Sequence, residues 1–379
     1  MKVLIIGAGV SGLFIAYELL KRGVGEITIV DAKTPGSGAS LRNVACFRSS
    51  FTSPEHVILM KESIKKWLEI RDSWGVGIHQ NGYIWVARKN ETIDVFKKLS
   101  QFHNSYGVPT RIIGKDELKE KEPYMNIDIV EGALYDPTAG KMNLMEVFTE
   151  LYLRVKKMGA KIIPYTPIEK LVVSGGRVKS AISPRGQLDA DVFIVAAAEG
   201  SKKILESIGV DVPIEPVPRH PIVTEAYSEI IKAGLVIDWD TPGSPHITQT
   251  SHGSIILARD VKDEPWIPLN SQRFDAIYKI VKPLSELYPA LRYINITRYW
   301  MGYYDMTPDH HPIYGPVHPF ENLYIAAGFS GHGLMMAPMT GVVIANWVVD
   351  GKPGIEVAEN LTLERFKTGK LVKELAVIG

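Results

Sequence analysis

The sequence predicts an α/β (α+β) chain: a Rossmann-like nucleotide-binding domain built from separated segments, carrying an inserted mixed-sheet substrate domain. Three observations lead there. Gly7-x-Gly9-x-x-Gly12 lies between an apolar strand-like run and a helix-like run near the start. The runs Val192–Ala198 and Leu323–Ala327, far along the chain, have the continuous apolar character of strands covered on both faces. The stretches before and between those runs are rich in short strand patterns and turn residues. On this reading residues 1–81, 143–214 and 311–379 form the nucleotide-binding domain. Residues 82–142 and 215–310 form the substrate domain.

Val3–Ile6 is short and apolar throughout. Leu13–Arg22 follows with helical spacing, and Glu26–Asp31 is a second strand ending in an acid, which completes a βαβ unit. A Gly/Ser-rich loop, Pro35–Ser40, precedes a long helix over Pro54–Trp74 with Trp67 and Leu68 inward. Tyr83–Arg88 reads as a strand, Thr92–Tyr106 as a helix, Lys115–Lys121 as a short helix stopped by Pro123, and Ala133–Asp136 as a strand. Asn143–Met158 has the amphipathic period of a helix. Lys161–Pro164, Ile168–Val173 and Arg177–Ile182 are strands, with Gly175-Gly176 at a hairpin in a second wing of the first domain. From Pro213 to Pro312 the strands are Pro221–Thr224, Leu235–Ile237, Ser254–Ala258 and Thr297–Tyr303, with a helix over Gln272–Leu287. Leu323–Ala327 leads through a glycine turn into a helix, Leu334–Val349.

Composition excludes several classes. With 379 residues, 45% hydrophobic and 22% charged, the chain is too apolar for disorder and long enough for more than one domain. Lys+Arg 43 against Asp+Glu 42 leaves no basic footprint for nucleic acid. The single cysteine excludes a disulfide framework, and Cys46 reads as a small buried residue rather than a nucleophile. Residues 323–349 carry no charge and are long enough to span a bilayer. Ser330, His332, Pro338 and the glycines of 328–333 point instead to a buried soluble element. A cytoplasmic chain without a membrane span is expected, with peripheral attachment left open.

The motifs then suggest chemistry. Gly7 permits a tight turn, Gly9 lets the backbone approach a pyrophosphate, and Gly12 lets the helix close on the sheet, while Asp31 is placed to accept from ribose hydroxyls. This pattern does not separate NAD from FAD. The loop from Gly38 to Arg48, with Asn43, Arg42 and small residues, suits close approach to a flat cofactor or a solvated surface equally. His310 and His311 are neighbours on a loop without a matching carboxylate pattern, so no metal site is read there. Gly328-Phe329-Ser330-Gly331-His332-Gly333 opens a second helix whose start favours negative charge, such as that of a reduced flavin; a plain glycine turn around a core histidine is the alternative.

Together, Gly7-Ala-Gly9-Val-Ser-Gly12 with Asp31, the loop Gly36–Asn43, the run Tyr303–Gly315 with its Tyr304-Asp305-Met306-Thr307-Pro308-Asp309 core, and Asn322–Pro338 occur in the order of a known family. The chain resembles the FAD-dependent amino-acid oxidase superfamily of the D-amino-acid oxidase and sarcosine oxidase type. It is most similar to the branch of FAD-carrying β subunits of archaeal dye-linked L-proline dehydrogenases. The resemblance implies FAD, and oxidation of the C–N bond of a small, secondary amino acid of the proline or sarcosine type. It implies cofactor contacts at Gly7, Gly9, Val10, Ser11, Gly12, Asp31, Ala32, Lys33, Ser40, Arg42, Asn43, Val44, Ile168, Ala196 and Ala197. Further contacts are implied at Gly302, Gly328, Gly331, His332, Gly333, Leu334 and Met335, with Arg48, Tyr304 and His332 as catalytic residues.

Departures from the family narrow this. Glycine and D-amino-acid oxidases carry a carboxylate-binding arginine three residues before the threonine of the TPD-like motif. That position is Tyr304 here; sarcosine oxidase instead uses an arginine in the loop matching Arg48, so the resemblance implies Arg48 as the carboxylate's partner. The lysine after the SGHG turn of sarcosine oxidases is Met335. The covalent flavin cysteine falls at Gly302 and the 38–43 loop holds no histidine, so FAD is expected to be non-covalent. The oxygen-activating lysine falls at Ile256, which favours a dehydrogenase passing electrons to a quinone, a dye or a partner protein. In the implied mechanism Arg48 pairs with the substrate carboxylate, Tyr304 orients the substrate, and His332 with the turn amides stabilises the reduced ring while hydride passes to flavin N5. A peroxide-forming sarcosine or glycine oxidase, or a flavin-carrying subunit of a heteromeric amino-acid dehydrogenase, are the alternatives. Homo- or hetero-oligomerisation stays open.

Overall fold

The computed structural model describes residues 1–260, 274–371 and 373–375. The first strand lies inside a six-stranded sheet in the order Ile313–Pro316, Leu323–Ala327, Val192–Val195, Lys2–Ile6, Glu26–Val30, Lys161–Ile163. Its neighbours run parallel apart from Ile313–Pro316, antiparallel at one edge. Along Lys2–Ile6 the side chains alternate between two cores: Val3 and Ile5 enter one, Leu4 and Ile6 the other. That two-sided burial is why the strand reads as continuously apolar. Helices Val10–Lys21, Pro54–Trp74, Leu144–Lys157 and Gly333–Asp350 pack into the first core.

The helix Gly333–Asp350 is long and apolar enough to cross a membrane, and 67% of it is buried inside the protein. Polar contacts fix its start. Ser63 Oγ and Trp67 Nε1, both on the long helix Pro54–Trp74, donate to the Met335 carbonyl at 2.6 and 3.1 Å. Trp67 is fully buried. A side chain of that size contributes about 2–3 kcal/mol of apolar burial, so the two helices are held by packing as well as by hydrogen bonds.

The β-rich segments meet in a separate eight-stranded sheet, ordered Ile296–Tyr299, Ile222–Ala226, Ser254–Ala258, His246–Gln249, Leu235–Asp238, Tyr83–Ala87, Gly132–Asp136, Arg111–Ile113. Tyr83–Ala87 and Leu235–Asp238 pair in parallel, and this one ladder joins the two segments that are distant in sequence. Helix Phe274–Leu287 covers the sheet through Ile280, Leu284 and Leu287. Residues 272 and 273 of the expected helix lie outside the described residues.

One expectation needs correction, and one strand was not foreseen. Thr297–Tyr303 is not one strand: Ile296–Tyr299 pairs in the large sheet, while Gly302–Met306 leaves it to pair with Glu215–Arg219. The latter strand was missed because Pro216 and Pro218 read as breakers, yet prolines are tolerated in a two-stranded ribbon where their missing N–H groups need not face a second neighbour. The Gly175-Gly176 hairpin forms as expected, between antiparallel strands that stand apart from the first sheet. Lys170–Ser174, Arg177–Ser183 and Gly186–Asp189 form their own three-stranded sheet. It is tied to the main sheet by Asn322, whose side chain accepts from Val178 N and donates to the Val178 and Asp191 carbonyls.

Candidate functional site

The first part of the site is the turn from Lys2–Ile6 into Val10–Lys21. Gly7 has φ +117°, and an added Cβ would lie 2.1 Å from the Ala196 carbonyl oxygen, so only glycine fits where the two parallel strands end together. The Asp31 carboxylate, closing the second strand, accepts from Ala8 N and Lys33 N, each at 2.8 Å. Burial raises its pKa, opposed by those N–H groups. Tyr165 N and Thr166 N donate to the carbonyls of Lys33 and Asp31, which sets Ile168 close behind. Ala196 N donates to Ile6 O, placing Ala196 and Ala197 beside Gly7.

The loop from Gly36 folds back over this helix start. Ser40 Oγ accepts from Val10 N at 2.9 Å, acting where an anion's oxygen would act on a helix N-terminus. Asn43 braces the loop by donating to Ser40 O at 2.7 Å and accepting from Ala45 N at 2.7 Å. Arg42 donates to the Ser37 carbonyl, and the Trp300 indole donates to Arg42 O at 3.2 Å. The predicted residues Gly7, Gly9, Val10, Ser11, Gly12, Asp31, Lys33, Ser40, Arg42 and Asn43 therefore converge. An added Cβ at Gly302 would lie 3.5 Å from Arg42 Cβ, so Gly302 joins the same wall.

The second part is the turn before Gly333–Asp350. It takes positive φ at Gly328 (72°), Ser330 (51°) and Gly331 (91°). Asp305 holds it: its carboxylate accepts from Gly328 N at 2.7 Å and its carbonyl from Ser330 N at 3.2 Å. Thr307 N adds a bond to Ser330 Oγ at 3.2 Å. Beside Asp305, the Tyr304 ring lies against Gly331, where an added Cβ would come within 2.3 Å of Cε2. On its other contact, Arg219 places its guanidinium carbon 4.5 Å from the Tyr304 ring centroid. Burial raises the Tyr304 phenol, which stays protonated as a donor.

Arg48 and His332 form the inner wall. Arg48 is fully buried, donates to Ser50 O at 2.5 Å, and lies 3.7 and 5.0 Å from the ring centroids of Phe51 and Trp85. Burial lowers its pKa to about 10, so it remains a cation at neutral pH. His332 Nδ1 lies 3.2 Å from His56 Nε2, while His332 Nε2 has no hydrogen-bond partner among the described residues. Burial, followed by the His56 and Arg48 charges, pushes His332 well below the ordinary histidine value. It is therefore neutral, and offers one ring N–H rather than a charge. His310 and His311 point apart: His310 Nδ1 lies 2.7 Å from Glu374 O, whereas the His311 ring centroid lies 4.4 Å from that of His56, tilted by 52°.

Sequence reasoning missed several residues. Arg219, His246 and Asp260 line a cleft together with Asn43, Val44 and Tyr304. Arg219 sat in a proline-rich run that disguised its strand, and pairing opposite Gly302 is what brings it to Tyr304. Glu374 carried no signal. Its carboxylate receives the N–H groups of Thr52 and Ser53 and both hydroxyls, capping the helix that begins at Pro54 and fixing the loop after Arg48. Asp305 stood inside a recognised motif, but its role depends on a turn 23 residues away.

The two helix starts, the acid closing the second strand and the loop of small residues make a donor set that fits a dinucleotide with an anionic pyrophosphate and ring. Known proteins agree with this fit. Residues 2–347 match the family DAO, FAD dependent oxidoreductase. Sarcosine oxidase subunit beta of Rhizobium meliloti (strain 1021) is 25% identical, covering 98% of this chain and 90% of that one. Mitochondrial dimethylglycine dehydrogenase of Rattus norvegicus is 25% identical over 94% of this chain, which spans only 44% of that relative's length. Among solved structures, L-proline dehydrogenase from P. horikoshii is 31% identical with a TM-score of 0.92, covering 98% of each chain. Glycine oxidase from Bacillus cereus superposes with a TM-score of 0.81 at 21% identity, covering 93% of this chain and 95% of that one.

Proposed function

Because the chain belongs to the FAD dependent oxidoreductase family, we propose that it oxidises the C–N bond of a small, secondary amino acid of the proline or sarcosine type. The carrying observation is Tyr304, set between the Arg219 guanidinium and the Gly331 turn at the head of the last long helix. There a guanidinium, a hydroxyl donor and an anion-stabilising helix start come together. FAD held by the residues around Gly7, Asp31 and Arg42 and by the turn 328–333 supplies a two-electron acceptor for the carbon next to nitrogen.

The chain's own groups do the rest. Arg48 holds the substrate carboxylate by a charge-assisted contact, favoured because a buried cation gains from an anion. The Tyr304 phenol orients the substrate, and Val44 supplies an apolar part of the cleft wall. The first-turn N–H groups of Gly333, Leu334 and Met335, with His332, favour negative charge at the flavin. Gly302 and the histidine-free loop 38–43 support non-covalent FAD. Ile256, apolar and 8% exposed, supports a dehydrogenase over an oxidase. Electrons then pass to a quinone, a dye or a partner protein; the beta-subunit name of one relative favours a heteromer. Segments 1–81, 143–214 and 311–379 form the FAD-binding unit in this proposal, and 82–142 with 215–310 the substrate unit. A cytoplasmic location is part of the same reading.

The test is the visible spectrum of the purified protein, recorded anaerobically while L-proline, D-proline, sarcosine and glycine are added in turn. Bleaching of the flavin band near ~450 nm by a secondary amino acid is expected, with little peroxide in air. Bleaching by glycine alone with rapid peroxide formation would select an oxidase instead, and a protein that cannot be loaded with FAD would end the proposal.

A further inference from the structure

Arg48 is buried against the Phe51 and Trp85 rings, and a second arginine, Arg219, lines the cleft that Tyr304 faces. Arg219 closes the strand Glu215–Arg219 and pairs opposite Gly302, while Tyr304 lies two residues further along the partner strand. Gly302 has no side chain to occupy the space beside it. The long Arg219 side chain therefore lies diagonally over the Tyr304 ring, the reach expected of same-face neighbours across an antiparallel pair. Its Nη2 is ion-paired with an Asp260 oxygen, and Nη1 donates to the Pro218 carbonyl at 3.1 Å.

We propose that Arg219 is a second anchor for the substrate carboxylate, working with Arg48 around Tyr304, and that Asp260 holds its guanidinium when no substrate is bound. The inference rests on the amino-acid reading above and specifies its binding site. Three features support it. The charges of Arg219 and Arg48 both act on the Tyr304 phenol against the opposing Asp260 charge, so a small anion that takes the place of Asp260 beside that hydroxyl feels two cations. Exchanging the Asp260 carboxylate for a substrate carboxylate keeps a charge-assisted acceptor on the guanidinium, and the cost falls on the Asp260 carboxylate, 8% exposed, which gives up this contact. His246, in the same wall, is depressed by burial to about 4 and brings no competing charge at neutral pH. The consequence is specificity: an amine lacking a carboxylate leaves Arg219 on Asp260 and gains nothing from either arginine.

The experiment titrates the FAD-loaded enzyme with cyclopentanecarboxylate, which has a carboxylate and no oxidisable amine, and follows the displacement of the flavin band. Cyclopentanecarboxamide is the uncharged control. Wild type should bind the carboxylate saturably. Arg219→Gln should weaken it by about 30-fold or more, the loss expected when one partner of a buried charge pair is truncated, and Arg219→Lys should be intermediate. The carboxamide should bind all three alike. Asp260→Asn should tighten carboxylate binding by removing the resident competitor. A flavin-loaded Arg219→Gln that binds within about threefold of wild type overturns the proposal. If that variant loses flavin, Asp260→Asn decides: unchanged or weaker binding overturns it. Failure of the underlying reading looks different, since then no amino acid bleaches the wild-type flavin.

Discussion

Replacing Asp309 with alanine will cost about 3–5 kcal/mol of unfolding free energy, the range for removing one partner of a buried ion pair. Arg365 grips Asp309 twice, Nε to Oδ2 at 2.7 Å and Nη2 to Oδ1 at 3.0 Å. Its remaining donors reach the carbonyls of Leu361 at 2.8 Å and His311 at 2.9 Å. Arg365 is 5% exposed and Asp309 1% exposed, so the pair is largely shielded from water. Against a typical domain stability of about 5–15 kcal/mol the loss is large. It also reaches the site, because Thr307 Oγ1 donates to His311 O at 2.8 Å while Thr307 N holds Ser330. Urea unfolding followed by tryptophan fluorescence measures the loss as a lower midpoint at unchanged slope. The pair itself adds little over an apolar pair of the same size, so Asp309→Ala with Arg365→Met should recover much of the loss. A single-variant loss below about 1 kcal/mol, the range of an exposed pair, or a double variant no better than the single, refutes the reasoning.

Asp305→Asn tests the turn. Burial raises the Asp305 carboxyl to about 7, against the N–H groups of Phe329 and Gly328 that pull it down. The folded value lies above the unfolded value near 3.8, so this group's contribution is complete below that value and is lost as pH rises through about 7. Thermal midpoints measured between about pH 6 and about pH 8 should fall in wild type more than in Asp305→Asn, which keeps an oxygen for Gly328 N without a charge; parallel curves would count against it. Cys46 is 3% exposed and burial lifts its thiol to about 11. The native protein should therefore resist an aromatic disulfide reagent that titrates one thiol per chain after unfolding. Rapid native labelling would show that the wall formed with Val44 and Trp85 opens.

Much of the frame was readable because its signals are local. Lys2–Ile6, Pro54–Trp74 and Leu323–Ala327 announce themselves through apolar runs and periodicity. The helix Pro54–Trp74 has proline at its first position and ends at Gly75 in the left-handed region, both short-range signals. The glycine turns at 7–12 and 328–333 are legible for the same reason. The ribbon Glu215–Arg219 with Gly302–Met306 was not, since a strand of alternating prolines gains its identity only from its partner.

The amino-acid order alone therefore determined the nucleotide-binding βαβ start, the second helix start at 333, the family likeness and the candidates Arg48, Tyr304 and His332. Each depends on residues a few positions apart, or on motifs met in sequence. The tertiary structure decided which groups stand beside them. Arg219 reaches Tyr304 across a strand pair, Asp305 reaches Gly328, and Glu374 caps a helix that begins 320 residues earlier. Such partners leave no trace in local periodicity, because a hydrogen bond or an ion pair depends on distance in space, and folding alone brings these segments within that distance.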